Sequence, residues 1–111
     1  MMVSEIVNAL NLKVFGGEKG LNNEVVGGYT SDLLSDVMGH AEQGFVWITL
    51  QTHKNVLAVA SLKELSAVIL IKNLEPDADM QMQANEEGIP VLGTDLNAFD
   101  MSGKLFNLLA K

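Results

Sequence analysis

Apolar residues along this chain fall into short runs separated by polar, glycine-containing breaks, and two kinds of spacing alternate. Runs of strand length cover residues 12–15, 24–29, 45–50, 67–71 and 90–93. Between them stand segments whose apolar positions recur every three or four residues, the period of a helix with one buried face. Ile6, Val7 and Leu10 mark a short first helix, with Ser4 placed to cap it and Asn11 ending it. Further helices are expected over residues 32–38, 53–65, 77–87 and 98–110. The last shows Ala98, Met101, Leu105, Leu108 and Leu109 on one face and so should lie against a sheet.

Strands alternating with helices imply parallel strands joined by crossover helices. The run Val68, Ile69, Leu70, Ile71 is apolar without alternation, as burial on both faces of a sheet requires. The expected fold is therefore α/β: a three-layer α/β/α sandwich around a mostly parallel sheet of four to five strands, with residues 12–15 as an edge strand. The 111 residues make one domain, and a composition 48% hydrophobic supplies its core. Two glycine pairs interrupt the pattern. Gly16-Gly17 opens a turn-rich stretch up to Asn23 and reads as a plain turn rather than a phosphate loop. Gly27-Gly28 lies inside a strand run, where a bulge or a close backbone approach is the usual meaning.

Charge narrows the partners. The net charge is −7, and all seven cationic side chains are lysines, scattered at 13, 19, 54, 63, 72, 104 and 111. Nucleic acid, which calls for a clustered basic face and favours arginine, is not an expected partner. With no cysteine there is no disulfide framework, thiol chemistry or cysteine-ligated zinc. The N-terminal residues lack the basic start and apolar run of a signal peptide, and no apolar run approaches the ~20 residues that span a bilayer. The expected setting is the cytoplasm, away from membranes.

In open α/β sheets, ligands lie beyond the carboxyl ends of the parallel strands. The loops following the strands at 24–29, 45–50, 67–71 and 90–93 are polar, and their candidate ligand-binding residues are Thr30, Asp32, Thr49, Gln51, Thr52, His53, Lys72, Asn73 and Thr94. Some of these also suit helix capping: Ser31 and Thr52 stand where caps belong, as does Asn97 with Asp100 three residues on. An enzymatic reading would use His53 as a general base beside Asp32 or Asp95. His40 is placed at a helix end, as a surface partner of the last carbonyls. Two histidines without i, i+4 spacing make no metal site. The chain contains no G-x-S-x-G, H-E-x-x-H or G-x-G-x-x-G, and Gly103-Lys104 lacks the flanking residues of a phosphate-binding loop. No catalytic residue, metal or cofactor is indicated.

The run from Gly27 through Tyr29-Thr30-Ser31-Asp32 to Met38, the strand Phe45-Val46-Trp47-Ile48-Thr49, and the stretch from Ala84 to Leu92 resemble the DRTGG domain family. Nearly the whole chain, about residues 2 to 110, takes part in the resemblance. It implies an α/β fold like the N-terminal domain of HPr kinase/phosphorylase, and an accessory, regulatory or oligomerising role of the kind this domain has beside CBS domains and in some phosphotransacetylases. The hallmark segments differ. Thr52-His53 stands where the acidic–basic pair of the family follows its strand, and Lys72-Asn73-Leu74 stands where Thr-Gly-Gly follows the next.

The function expected is a standalone regulatory module binding a small polar ligand at the carboxyl rim of the sheet, with nucleotides among the candidates. The alternative is a protein interaction or oligomerisation module without a small-molecule ligand, with Met80 and Met82 available for an adaptable contact surface. A homodimer is expected, because the edge runs at 12–15 and 27–28 are weakly protected and because Phe15, Trp47 and Met80 are apolar side chains that a small core would leave partly uncovered.

Overall fold

The computed structural model describes all 111 residues. In chain order the elements are α1 (Val3–Leu10), β1 (Lys13–Gly16), a 3-10 turn (Glu18–Gly20), β2 (Gly27–Thr30), α2 (Leu34–His40), β3 (Phe45–Thr49), α3 (Asn55–Leu62), β4 (Ala67–Leu70), α4 (Ala78–Glu87), β5 (Val91–Gly93) and α5 (Ala98–Leu109). The strands form one sheet in the order β1-β5-β4-β3-β2. Strands β2 to β5 are parallel and β1 joins the β5 edge antiparallel, so the α/β expectation and the edge position of the first strand both hold.

Right-handed crossovers between neighbouring parallel strands place all their helices on one face of a sheet. Helices α2, α3 and α4 accordingly share one face, burying Val37, Val56, Leu57 and Met80 against Trp47, Val68, Leu70 and Val91. After β5 the chain moves to the other face, where α5 joins α1 and Met101 and Leu105 meet Ile6, Val46, Ile48 and Ile69. The two cores explain the unbroken apolar strand runs. Successive residues of β4 point alternately into one core and the other, and all are buried.

Several sequence expectations need correction at element ends. Met2, not Ser4, is the N-cap of α1, and the Glu5 carboxylate accepts the Met2 backbone N–H at 2.9 Å. α2 begins at Leu34 rather than 32, because Asp32 is engaged with β3 and leaves the helix to start after it. α3 runs only from Asn55 to Leu62, cut short where Glu64 takes a left-handed backbone (φ 55°). Neither Ser31 nor Thr52 caps a helix. Ser31 instead closes a turn by accepting the Leu33 N–H, whereas Asn97 does cap α5 through the Asp100 N–H at 2.9 Å. Residues 24–26 do not belong to β2; Glu24 makes an isolated antiparallel bridge to Met2. Trp47 and Met80 are fully buried, so neither offers an uncovered apolar surface, and of the two methionines on α4 only Met82 is exposed.

The glycine pairs resolve differently. Gly17 has φ 75°, and its N–H is held by the Asn85 side chain at 2.8 Å, so this segment is a structural turn. Gly27-Gly28 keeps regular register with β3 and forms no bulge. A side chain at Gly27 would enter the Phe45 ring, so what lies close to this glycine is a neighbouring side chain rather than the expected backbone.

Candidate functional site

Because β2 to β5 are parallel, their carboxyl ends share one rim, and the loops that leave it divide the predicted residues into three groups.

The first group ties the β2–α2 loop to β3. Thr49, the last residue of β3, is buried and donates its hydroxyl to Asp32 Oδ1 at 3.0 Å, while the Leu50 N–H reaches the same oxygen at 2.9 Å. Gln51 completes the clamp: its side-chain amide donates to the Asp32 carbonyl at 3.0 Å, and its backbone N–H donates to the Thr49 hydroxyl at 3.2 Å. The Trp47 indole N–H donates to the Ser31 carbonyl at 2.8 Å from beneath. Buried polar atoms need such partners, and this mutual satisfaction fixes the loop.

The second group is the β3–α3 loop. His53 Nδ1 lies 3.1 Å from Asp77 Oδ2, and the Thr52 carbonyl accepts the Asp77 N–H at 3.0 Å. Asp77 also caps α4 through the Met80 N–H at 2.8 Å. That backbone donor, with His53 beside it, holds the Asp77 carboxyl below its ordinary range. His53 thus pairs with Asp77, not with Asp32 or Asp95 as the general-base reading required. The Thr52 side chain is half-buried and caps nothing.

The third group lies at the ends of β4 and β5. Lys72 and Asn73 both adopt left-handed backbone, at φ 58° and 61°, a conformation that disfavours side chains other than glycine and asparagine. Their N–H groups donate to the Leu96 and Thr94 carbonyls, each at 2.8 Å, and the Thr94 hydroxyl accepts the Leu96 N–H at 3.2 Å. A cleft of about 550 Å³ opens beside them, lined by Asn73, Thr94 and Asp95 together with Asn11, Lys13 and Lys104. Here the fold has its switch point. The chain leaves β4 toward α4 on one face and leaves β5 toward α5 on the other, and a crevice between diverging loops is where open α/β sheets hold ligands.

Thr30 joins none of these groups. Its hydroxyl lies 2.7 Å from that of Ser102 on α5, and it lines a different groove along β2. Three contributors went unread in the sequence. Asp77 follows Pro76 at a helix start, which is a capping signal, but its pairing with His53 spans 24 positions. Lys13 and Lys104 come from opposite ends of the chain, and only the antiparallel return of β1 beside β5 brings them together.

Elsewhere, Tyr29 donates to both Asp36 oxygens (2.9 and 3.0 Å), and His40 Nδ1 lies 3.1 Å from Asp36 Oδ1. Hydrogen bonds from Ser31 and Tyr29 hold the Asp36 carboxyl low, and the carboxylate in turn pushes the Tyr29 hydroxyl up. This network braces α2 on β2. No group of three or more His, Cys, Asp or Glu converges as a metal site, and no helix is long and apolar enough to cross a membrane.

A three-layer α/β module with a polar rim and a cleft at its switch point is the class these features define. The family model described as the DRTGG domain matches residues 5–108, and the chain belongs to that family. No curated protein matches it. Among solved structures it is similar to the CBS and DRTGG domains of the regulatory region of Clostridium perfringens pyrophosphatase, complexed with the activator diadenosine tetraphosphate. The TM-score is 0.69 at 14% identity, over 94% of this chain and 45% of that one. At this identity the likeness speaks for the fold, and the chain spans less than half of that regulatory region.

Proposed function

We propose that this DRTGG domain is a regulatory module that binds a small polar ligand, of the nucleotide class, at the carboxyl rim of its sheet. The observation that carries the reading is the switch-point cleft. Asn73 and Thr94 from the predicted rim line it, and two cationic side chains, Lys13 and Lys104, outnumber its one carboxylate, Asp95, in a chain of net charge −7. An anionic polar ligand is the chemistry such a cleft complements. The Asp32–Thr49–Gln51 clamp and the His53–Asp77 pair stand on the loops that follow β2, β3 and β4 along the same rim. The likeness to a regulatory region solved with a dinucleotide activator supports the choice of ligand class. The proposal includes a cytoplasmic setting and self-association as a homodimer.

Thermal unfolding against a panel of nucleotides and metabolites, led by diadenosine tetraphosphate and ATP, tests the reading. A ligand at 100 times its dissociation constant stabilises the fold by about 2.7 kcal/mol, several degrees for a domain of this size. No shift with any member, on protein that unfolds cooperatively, would contradict it.

A further inference from the structure

We propose that the groove between the outer edge of β2 and α5 is the surface on which a second copy of this chain docks, edge to edge about a two-fold axis. The inference rests on the self-association included in the proposed function and assigns it to one face.

The groove measures about 740 Å³, and apolar side chains dominate its walls. Phe99 and Phe106 lie seven positions apart on α5, hence on one side of the helix, and remain 86% and 72% exposed; Val26, just before β2, is 68% exposed. Apolar surface gathered in this way marks an interaction site rather than scattered surface residues. β2 itself is the terminal strand and pairs only with β3, so its outer backbone groups are free to pair with another strand. Gly28, with no side chain, and Thr30 are the exposed residues of that strand and leave the approach open.

Charge selects the occupant. None of the fourteen residues lining this groove is charged, in a chain carrying 14 acidic and 7 basic side chains. Every other surface depression contains at least one carboxylate. A second copy brings another net −7, so acidic surfaces would meet it with like-charge repulsion, and this groove, alone among the depressions, meets it without a charge to desolvate. A two-fold axis satisfies the geometry too. β2 paired antiparallel with its mate extends the sheet across the interface, and the same axis sets the two α5 helices side by side with Phe99 and Phe106 between them. Two phenylalanines per copy, at 150–250 Å² each, with the strand edge and the helix flank, approach the ~800 Å² per partner of a stable interface.

Light scattering coupled to size exclusion, at micromolar to submillimolar concentration, tests the assignment on the wild-type chain and on the Phe99→Glu/Phe106→Glu double variant. Both phenylalanines are exposed, so the variant keeps its core, and an unchanged far-UV spectrum and thermal midpoint at low concentration check this. As an independent variant, Gly28→Pro introduces a ring at the outer edge. The expected result is a mass near twice the 12.0 kDa of the chain for the wild type and near 12.0 kDa for the folded variants. A wild type of 12.0 kDa at every concentration overturns self-association and this face together. A folded double variant that remains a dimer overturns the face alone. Ligand binding at the rim, measured separately, stands or falls independently of both.

Discussion

At Gly17 the backbone allows one residue type. Its φ of 75° lies in the left-handed region, and a side chain there would run into the Ile89 carbonyl, a backbone atom that cannot rotate away. Gly17→Ala therefore combines backbone strain with a clash between main chains, and chemical denaturation should show a loss of about 2–4 kcal/mol. A change under 0.5 kcal/mol would mean that the turn rearranges freely. Lys72 and Asn73 present the converse case. They occupy left-handed backbone without being glycine. Residues held this way cluster at ligand-binding sites. The sequence places these two residues just after a strand but does not reveal their backbone angles, because lysine carries no left-handed signal.

Among the elements, the strand runs were legible and the starts of α1, α2 and α3 were not. Runs such as Val68 to Ile71 have a single interpretation once both faces of a sheet must be covered, and they appear as β4 with one residue left over. Helix starts were misplaced because the capping residues compete for partners elsewhere. Asp32 serves Thr49 and Leu50 across the rim, so α2 begins two positions late. α4 starts where expected because Asp77 reaches the Met80 N–H directly. That cap has a pH signature. The folded Asp77 carboxyl titrates below its unfolded value, as does Asp36. Their contribution to stability is thus complete above the unfolded carboxylate range near pH 4 and is lost as pH falls through the lower folded values. Melting temperatures measured between pH 2 and 6 should fall on acidification, and Asp77→Asn, which keeps a capping oxygen but cannot titrate, should flatten the fall. An identical acid profile for that variant would show that Asp77 is not a contributor.

For the molecule as a whole, fold class and rim followed from the alternation of runs, whereas the grouping of rim residues did not. Which loops converge depends on where the chain changes face. That happens after β5, because α4 and α5 bury their apolar sides in different cores. Each helix pattern reveals that one side is apolar, not which core receives it. The same crossing brings Lys104 on α5 toward Lys13 on β1 and leaves Thr30 in the groove along β2. One rim predicted from sequence thus becomes a clamp, a His53–Asp77 pair and a cleft, and the cleft carries the functional reading.

Amide chemical-shift mapping by NMR during titration with ATP, followed by the best ligand of the thermal panel, tests that reading most directly. Saturable shifts are expected at Lys72, Asn73, Thr94 and Asp95, extending to Asn11 and Lys13, with a loss of affinity of about fivefold or more, roughly 1 kcal/mol, in Lys104→Gln. Saturable shifts confined to residues away from this cleft, or none with any ligand of the panel, would contradict it.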